Sequence, residues 1–233
     1  MSADVRPGSG EMFDAIADRY DLLNRIISLG VDQSWRDKAV RALALSGAAR
    51  VLDVATGTAD LALRIARTLR SAEVVGVDPS ERMLEIGRTK LEKAGLGGRV
   101  LLEAGKVESL PHPDASFDGA TIAFGIRNAK DRALGLVEMR RVTRSGGRVV
   151  VLELGEPESG PLAGMARWHI HSVVPWLGGL LSGKREYEYL QRSIAAFPSR
   201  VEFGALMSGA GLEVEKVELL TFGVATLFVG RVP

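Results

Sequence analysis

The spacing of hydrophobic and polar positions changes along the chain, and each change predicts a different kind of element. Near the amino end, apolar residues recur at steps of three and four, which predicts amphipathic helices over 11–45. From residue 50, short β-branched runs alternate with helical segments. Such alternation predicts an α/β fold built on a parallel, doubly wound sheet. The predicted strands are 50–55, 73–78, 99–103, 117–124 and 148–154, and the predicted helices between them are 59–70, 80–94 and 131–143.

The segment 157–197 interrupts this alternation. It has no strand pattern and predicts helices that are broken by Pro161, Pro175 and the pair Gly178-Gly179. An insertion at this point of the chain would cover the carboxyl edge of the sheet, where open α/β sheets bind ligands. We therefore interpret the segment as a helical lid.

Two strands follow a predicted helix over 199–210 and complete the chain. They span about 212–220 and 222–231 and are joined almost directly at Thr221. A link this short suits an antiparallel hairpin at one end of a sheet. The pattern as a whole predicts a mostly parallel, seven-stranded sheet with a C-terminal antiparallel hairpin.

Composition and charge narrow the class of protein. The length of 233 residues suits a single domain over 11–233, preceded by a flexible polar segment at 1–10. The net charge of +1 gives no electrostatic basis for nucleic-acid binding. The absence of cysteine excludes disulfides and cysteine-bound metals. The amino-terminal residues lack an apolar signal core, so we expect a cytoplasmic protein.

The most specific chemical signal is VLDVATGTAD at 51–60, followed by VVGVD at 74–78. The 21 residues from Gly57 to Asp78 are close to the ~20 expected between the turn and the ribose-binding acid of a nucleotide-binding βαβ unit. The turn nevertheless lacks the further glycines that let backbone amides approach a pyrophosphate. One glycine, Thr58 and nearby acids suit a ligand with ribose hydroxyls and an ammonium group but no phosphates. S-adenosylmethionine (SAM) is such a ligand, which indicates a methyltransferase.

The acids of this pattern also have ordinary structural interpretations. Asp60 stands where a helix begins, and Asp78 precedes Pro79 at the start of another helix, so either could be a helix cap. The combined pattern favours the cofactor. In that interpretation Asp78 accepts hydrogen bonds from the ribose hydroxyls, and Asp53 or Asp60 binds the ammonium.

The sequence FGIRN at 124–128 follows the fourth predicted strand directly. Gly125 allows a sharp turn at the carboxyl edge, so that Arg127 and Asn128 would project towards a site above the sheet. A loop with a solvated arginine is the alternative. His169 and His171 would point to different faces of a helix, so no metal site is expected from them.

The stretch 168–183 is apolar and uncharged if its histidines are neutral. Its 16 residues fall short of the ~20 that a membrane-spanning helix needs. It suits a lid, a membrane-surface patch or a route for a long apolar substrate, and ordinary helix packing is the alternative.

Several longer motifs resemble the ubiquinone/menaquinone biosynthesis C-methyltransferases from about residue 12 to the end of the chain. They are FDAIADRYDLLN, VLDVATGTADLA, VVGVDPSERML, FGIRN, EMRRVTRSGGRVVVLELGEP and the block 175–193. A generic SAM-binding domain would share only the second and third. The resemblance implies a Rossmann-like class I methyltransferase that uses SAM to methylate a ring carbon of a prenylated quinol.

The resemblance also assigns cofactor residues. The family's cofactor positions fall on Thr58 and Asp78, and an Asn-Ala or Asp-Ala pair expected near the adenine falls on Lys106-Val107. Lysine cannot accept a hydrogen bond from the adenine amino group, so backbone groups or the lysine stem would replace that contact. A serine of some relatives' fourth strand is Ala123 here.

The catalytic roles follow from the chemistry of the acceptor. A ring carbon is a weak nucleophile until an adjacent hydroxyl, with a pKa of about 10 by analogy with tyrosine, loses its proton. Arginine stays protonated, so Arg127 is expected to hold the oxygen anion, while Asn128 orients the ring. His171 matches a family histidine and is the expected base. Tyr20 is a second candidate, as a substrate contact.

The expected acceptor is demethylmenaquinol, which would become menaquinol. The alternatives are 2-polyprenyl-6-methoxy-1,4-benzoquinol of ubiquinone biosynthesis, or both quinols. More distant alternatives are a soluble aromatic metabolite and a SAM-binding module without catalysis. We expect peripheral contact with the inner face of the cytoplasmic membrane, because a prenylated quinol resides in the bilayer, and we expect a homodimer.

Overall fold

The computed structural model describes residues 14, 17, 28, 30–155 and 184–233 of the chain. Asp14, Ala17 and Ser28 are helical, in line with the predicted amino-terminal helices. Two short 3₁₀ turns, Ile126–Asn128 and Thr221–Gly223, interrupt the regular elements. In chain order the helices and strands are α1 (Asp32–Ala42), β1 (Arg50–Val54), α2 (Asp60–Thr68), β2 (Glu73–Asp78), α3 (Glu81–Lys93), β3 (Val100–Ala104), β4 (Phe117–Ala123), α4 (Arg132–Val142), β5 (Thr143–Leu154), α5 (Lys184–Ala195), α6 (Arg200–Gly209), β6 (Glu213–Leu220) and β7 (Ala225–Arg231).

The strands form one seven-stranded sheet in the order β3-β2-β1-β4-β5-β7-β6. The first five strands are parallel, whereas β7 runs antiparallel to β5 and β6 runs antiparallel to β7. The predicted mostly parallel sheet with a C-terminal antiparallel hairpin is therefore confirmed. The strand order reverses between β1 and β4, and this is the switch point where open α/β sheets bind their ligands.

Both faces of the sheet are buried at β1, β2 and β7, which explains why these strands are mostly apolar runs, whereas the edge strand β6 is largely exposed and charged. Neighbouring residues of a strand point to opposite faces, so Val51 and Leu52 belong to different hydrophobic clusters. The first cluster includes side chains of α1, α2 and α3, and the second includes side chains of α4 and α6. Phe203 of α6 packs against Phe228 of β7, with ring centroids 4.7 Å apart.

Strand β5 begins earlier than the sequence pattern predicts. Gly146 and Gly147, which directly precede the predicted strand 148–154, lie inside β5, at a bulge between the Thr143–Phe117 and Arg148–Gly119 pairs. Gly146 has a φ of 78° and donates its N–H to the carbonyl of Val232, 2.8 Å away. This part of β5 is therefore paired with the carboxyl end of the chain. Such a tertiary contact cannot be predicted from the neighbouring residues in the sequence.

The link between β6 and β7 is longer than the single residue that the sequence predicts. Thr221 and Phe222 both have positive φ, 44° and 59°, and β7 begins only at Ala225. The indole Nε1 of Trp35 donates to the Thr221 hydroxyl at 2.8 Å, which attaches this turn to α1. Contact with another element stabilises a backbone conformation that neither residue favours alone.

Much of the predicted lid lies outside the described residues, as do residues 1–10. The described end of the segment 157–197 contains α5. Within the described ranges, no helix has both the length and the apolar character needed to cross a bilayer.

Candidate active site

The turn between β1 and α2 has an alternating backbone. We call residues 55–60 the cofactor turn. Ala55, Gly57 and Ala59 have φ values of 51°, 55° and 66°, whereas Thr56 and Thr58 are not in the left-handed region. Three N–H groups of the turn already have acceptors within the protein: that of Thr56 donates to the Val77 carbonyl, that of Gly57 to Asp78 Oδ2 and that of Ala59 to the Thr56 carbonyl. Each left-handed alanine costs about 1 kcal/mol or more, and strain of this kind clusters at functional sites.

Asp53, at the end of β1, connects the cofactor turn to β4. Its two oxygens accept hydrogen bonds from the hydroxyls of Thr56, at 2.7 Å, and Thr121, at 2.8 Å. Burial raises the pKa of Asp53 to about 6, and the two hydroxyl donors oppose that rise. These two hydrogen bonds hold the turn against β4. Because the residue is only 1% exposed, its carboxylate lies beneath the turn, where its negative charge acts on the site.

Asp60 and Thr58 share a lysine from α3. Lys90 Nζ donates to Asp60 Oδ1 at 2.7 Å and to Thr58 Oγ1 at 2.9 Å. Asp60 is the first residue of α2, where a carboxylate also interacts favourably with the helix dipole. Its side chain does not cap the helix, because Ala59 is the N-cap residue. These contacts favour a structural role for Asp60 over binding of an ammonium group.

Asp78, at the end of β2, joins its own strand to the cofactor turn. Its Oδ2 accepts the N–H of Gly57 at 2.8 Å, and its Oδ1 accepts the N–H of Ser80 at 2.9 Å. A carboxylate has about four acceptor positions, so each oxygen keeps capacity for a ribose hydroxyl. Burial raises the pKa of Asp78 to about 6. Tertiary structure thus brings together Gly57 and Asp78, the pair on which the sequence interpretation depends.

Asp14 also reaches this region, although it was not among the residues predicted for the site. The Ser80 hydroxyl donates to Asp14 Oδ1 at 2.5 Å, and the nearby negative charge of Asp14 helps raise the pKa of Asp78. The sequence pattern of a predicted helix does not show which of its polar residues will contact the end of β2. The contact shows that residue 14 lies next to the predicted ribose site.

Lys106 and Val107 follow β3 on the other side of Asp78. The N–H of Gly105 donates to the Asp78 carbonyl at 3.1 Å, which holds the ends of β2 and β3 together. Lys106 is exposed and Val107 is half-buried. Ala123, the last residue of β4, pairs with Leu152 of β5. These residues lie at the same edge of the sheet as Asp78, and their contact with the cofactor stays a prediction.

The FGIRN loop, residues 124–128, packs against the cofactor turn. A Cβ added to Gly125 would lie 2.5 Å from the Cβ of Ala55, so this approach requires glycine. Phe124 has a φ of 59° and packs edge-on against Trp35, with centroids 6.2 Å apart. The loops after β1 and β4 therefore form one continuous surface at the switch point.

Arg127 is buried and forms an ion pair with Glu153 of β5. Its Nη1 lies 2.7 Å from Glu153 Oε1, and its backbone N–H donates to Oε2 at 3.1 Å. Nη1 also donates to the carbonyl of Phe124 at 2.5 Å. The side chain of Arg127 is thus buried and fixed by Glu153 at the carboxyl edge of the sheet. The alternative interpretation, a solvated arginine in a loop, does not describe it. Glu153 was not predicted as a site residue, although an acid inside the apolar run VVVLEL was a usable signal.

Asn128 connects the FGIRN loop to α5. The Tyr189 hydroxyl donates to Asn128 Oδ1 at 2.8 Å. Arg132 strengthens the same junction, because it donates to the carbonyls of Arg127, at 3.2 Å, and Ala196, at 3.4 Å. The described end of the insertion is therefore attached to the loop that carries Arg127 and Asn128.

Two sequence-predicted residues, Tyr20 and His171, lie outside the described residues. Across the described parts of the chain, no group of three or more histidine or acidic side chains is arranged to hold a metal ion.

Comparison with known proteins agrees with this architecture. Residues 3–231 match the ubiE/COQ5 methyltransferase family. The chain is 46% identical over 220 residues to the ubiquinone/menaquinone biosynthesis C-methyltransferase UbiE of a Geobacter species, with 94% of each chain covered. It is 48% identical over 223 residues to the demethylmenaquinone methyltransferase of Thermus thermophilus, with 95% of this chain and 100% of the relative covered.

A solved structure extends the agreement to the fold. A putative SAM-dependent methyltransferase from Methanococcus maripaludis superposes with a TM-score of 0.71 at 14% identity, covering 99% of this chain and 96% of the other. At this identity the likeness concerns the fold alone. Taken with the family match, it leads to one conclusion: the chain belongs to the ubiE/COQ5 methyltransferase family and is a SAM-dependent methyltransferase.

Proposed function

We propose that the protein transfers a methyl group from SAM to a ring carbon of a prenylated quinol, with demethylmenaquinol as the acceptor and menaquinol as the product. The observation that carries this proposal is the contact between the cofactor turn and the FGIRN loop, where Gly125 meets Ala55. That contact brings the cofactor turn next to the loop that carries the buried Arg127, which supports a shared site for cofactor and acceptor. The name of the Thermus thermophilus relative supports the naphthoquinol as acceptor.

The residues of the cofactor half fit SAM in charge and hydrogen bonding. The cofactor turn lies beside the methionine moiety in this proposal, and the negative charge of Asp53 beneath the turn attracts the ammonium group of that moiety. Asp78 keeps acceptor capacity for the ribose hydroxyls. When bound, SAM supplies an electrophilic sulfonium methyl group.

Arg127 and Asn128 serve the acceptor in this proposal. A quinol hydroxyl ionises near the pKa of about 10 of a phenol, so the reaction needs groups that stabilise the oxygen anion. Glu153 holds the guanidinium of Arg127 in one orientation and compensates for the burial of its charge. Arg127, held by Glu153, therefore serves as a fixed hydrogen-bond donor to the quinol oxygen anion. The side-chain amide of Asn128 lies beside it as a second donor.

Two further roles come from the family resemblance. His171 is the proposed base that removes the quinol proton, and Tyr20 is a proposed substrate contact. A His171→Ala variant that binds SAM normally and methylates at the wild-type rate in a single turnover would remove His171 from the mechanism.

A second acceptor is 2-polyprenyl-6-methoxy-1,4-benzoquinol, which ubiquinone biosynthesis methylates. The name of the Geobacter relative, which covers both ubiquinone and menaquinone, favours this candidate. The peripheral membrane contact is part of the proposal because the prenyl chain of either quinol resides in lipid. Sedimentation with lipid vesicles tests that contact, and sedimentation equilibrium tests the expected homodimer.

The experiment that tests the function measures methyl transfer from labelled SAM to short-chain forms of both quinols under reducing conditions. Product from the naphthoquinol alone assigns the menaquinone route, and product from both assigns a shared enzyme. Cofactor binding without product from either quinol would overturn the proposal, in favour of another aromatic acceptor or a SAM-binding module without catalysis.

A further inference from the structure

The bond from the Tyr189 hydroxyl to Asn128 Oδ1, 2.8 Å long, spans 61 residues of sequence. Tyr189 belongs to α5, and Asn128 ends the 3₁₀ turn after β4. Tyr189 is half-buried, and burial raises the pKa of its hydroxyl, so the group stays protonated and able to donate at neutral pH. The charges of Arg127 and Arg132 act on the hydroxyl in the opposite sense.

This bond determines which end of the Asn128 amide faces Tyr189. A side-chain amide carries an acceptor oxygen and a donor NH₂ group in one plane, and the two point in different directions from the same carbon. A hydroxyl that donates needs the oxygen, so the NH₂ group is turned away from Tyr189. The backbone N–H of Asn128 donates to the Gly125 carbonyl at 3.0 Å, which holds the residue in its turn. Among the residues that the structure describes, Asn128 Nδ2 donates to none.

An oriented NH₂ group matches the chemistry of the acceptor. A quinol oxygen that loses its proton becomes a strong hydrogen-bond acceptor, and donors fixed before the reaction stabilise such an anion most effectively. Arg127 is the neighbouring residue and is itself held by Glu153. The loop thus holds two donor side chains, each fixed by a partner from another element.

We propose that Tyr189 is a positioning residue, whose hydroxyl commits the Asn128 amide to donate to the oxygen of the quinol acceptor. This inference rests on the function proposed above. Tyr189 acts through Asn128 and has no contact of its own with the reacting atoms.

The test is a double-mutant cycle on kcat and KM for the quinol, with SAM affinity measured in parallel. We expect Tyr189→Phe to lower kcat/KM about tenfold and Asn128→Ala to lower it about a hundredfold, within the range seen for oriented donors and their supporting groups. In the Asn128→Ala background, Tyr189→Phe should have no further effect, because its target is gone. SAM affinity should stay at the wild-type value throughout.

Two variants separate orientation from structural support. Asn128→Asp keeps an acceptor for Tyr189 but has no NH₂ group, so its activity should match that of Asn128→Ala. Arg192→Ala changes an exposed side chain of the same helix and should behave as wild type. Melting temperatures of all variants identify any that lose the fold.

Specific results would overturn the inference. Equal losses from Tyr189→Phe in both backgrounds would assign the tyrosine a general structural role or a direct substrate contact. Wild-type activity of Asn128→Asp would show that no donor is needed. If the wild-type protein methylates neither quinol, the proposed function fails and this inference fails with it; an additive cycle in an active enzyme removes the inference alone.

Discussion

Arg127 and Glu153 form an ion pair in which neither side chain is more than 6% exposed. The pair joins the FGIRN loop to the carboxyl end of β5, and Glu153 also accepts the backbone N–H of Arg127. Two kinds of contact from one carboxylate thus determine the position of the loop. Because the pair lies in the interior, its loss should affect both stability and catalysis.

Replacing Glu153 by glutamine should remove the carboxylate that is paired with the buried Arg127 charge. Removal of one partner of a buried pair destabilises proteins by about 3–5 kcal/mol, and we expect Glu153→Gln to lower the free energy of unfolding by an amount of that order. Denaturant titration measures it. Glu215→Gln removes a half-exposed partner of Arg148 and should cost less than about 1 kcal/mol. Equal losses from the two variants would contradict the prediction.

Asp78→Asn should weaken SAM binding by about tenfold or more, which corresponds to ~1.4 kcal/mol. Both carboxylate oxygens accept backbone N–H groups, so either orientation of the amide directs its NH₂ at one of those donors. Titration calorimetry with SAM provides the measurement. Asp114→Asn, at a side chain that is 78% exposed, is the matched control. Unchanged affinity in Asp78→Asn would exclude the ribose role.

SAM affinity should fall as the pH is lowered from 7 to 5. The pKa of Asp78 in the cofactor-free protein is about 6, so below that pH a proton occupies one of the acceptor positions that the ribose hydroxyls need. Binding then requires release of the proton. The Asp78→Asn variant should have a flatter pH dependence, measured by the same titration at both pH values. A wild-type affinity that does not change with pH would refute this role of protonation.

Asp53 should make the protein less stable as the pH rises. Its folded-state pKa is raised from 3.8 to about 6, so its contribution to stability is fully present below pH 3.8 and is lost as the pH passes through about 6. An Asp53→Asn variant lacks this dependence. Its stability relative to wild type should therefore improve between pH 4 and pH 7 by on the order of 2–3 kcal/mol. Denaturant titrations at the two pH values test the sign, and a constant difference would contradict it.

Gly125→Ala should disturb the contact between the two loops of the site. The added Cβ would lie 2.5 Å from the Cβ of Ala55, although the φ of −114° is open to alanine. We expect a loss of about 1–3 kcal/mol in stability, as for overpacked cores, together with weaker SAM binding. Gly204→Ala, where nothing lies within 4 Å of the added Cβ, should instead stabilise α6 by about 0.5–1 kcal/mol. Melting temperatures and SAM titrations distinguish the two outcomes.

The order and type of the elements could be predicted because they depend on local patterns. The strand predicted over 73–78 is observed as Glu73–Asp78, and the helix predicted over 199–210 is observed as Arg200–Gly209. The start of β5 was predicted wrongly. The segment with Gly146 and Gly147 is held as a bulge in β5 by β4 and by the carboxyl end of the chain, and these partners are distant in sequence.

Some of the site residues could also be predicted from local sequence patterns. Gly57, Asp78, Arg127 and Asn128 were found from their places at the ends of apolar runs. The left-handed alanines of the cofactor turn were missed, because alanine disfavours that conformation unless the surrounding structure imposes it. Asp14, Glu153 and Tyr189 were not predicted as partners, because each meets its contact through the fold.

The sequence by itself determined the fold class, the family and the residues at the carboxyl ends of β1, β2 and β4. These properties depend on periodicity, glycine placement and motif spacing, all of which are local. Only the tertiary structure decided that Glu153 neutralises Arg127 and that Tyr189 orients Asn128. The physical reason is that hydrogen bonds and ion pairs act over about 3 Å in space, whatever the separation along the chain.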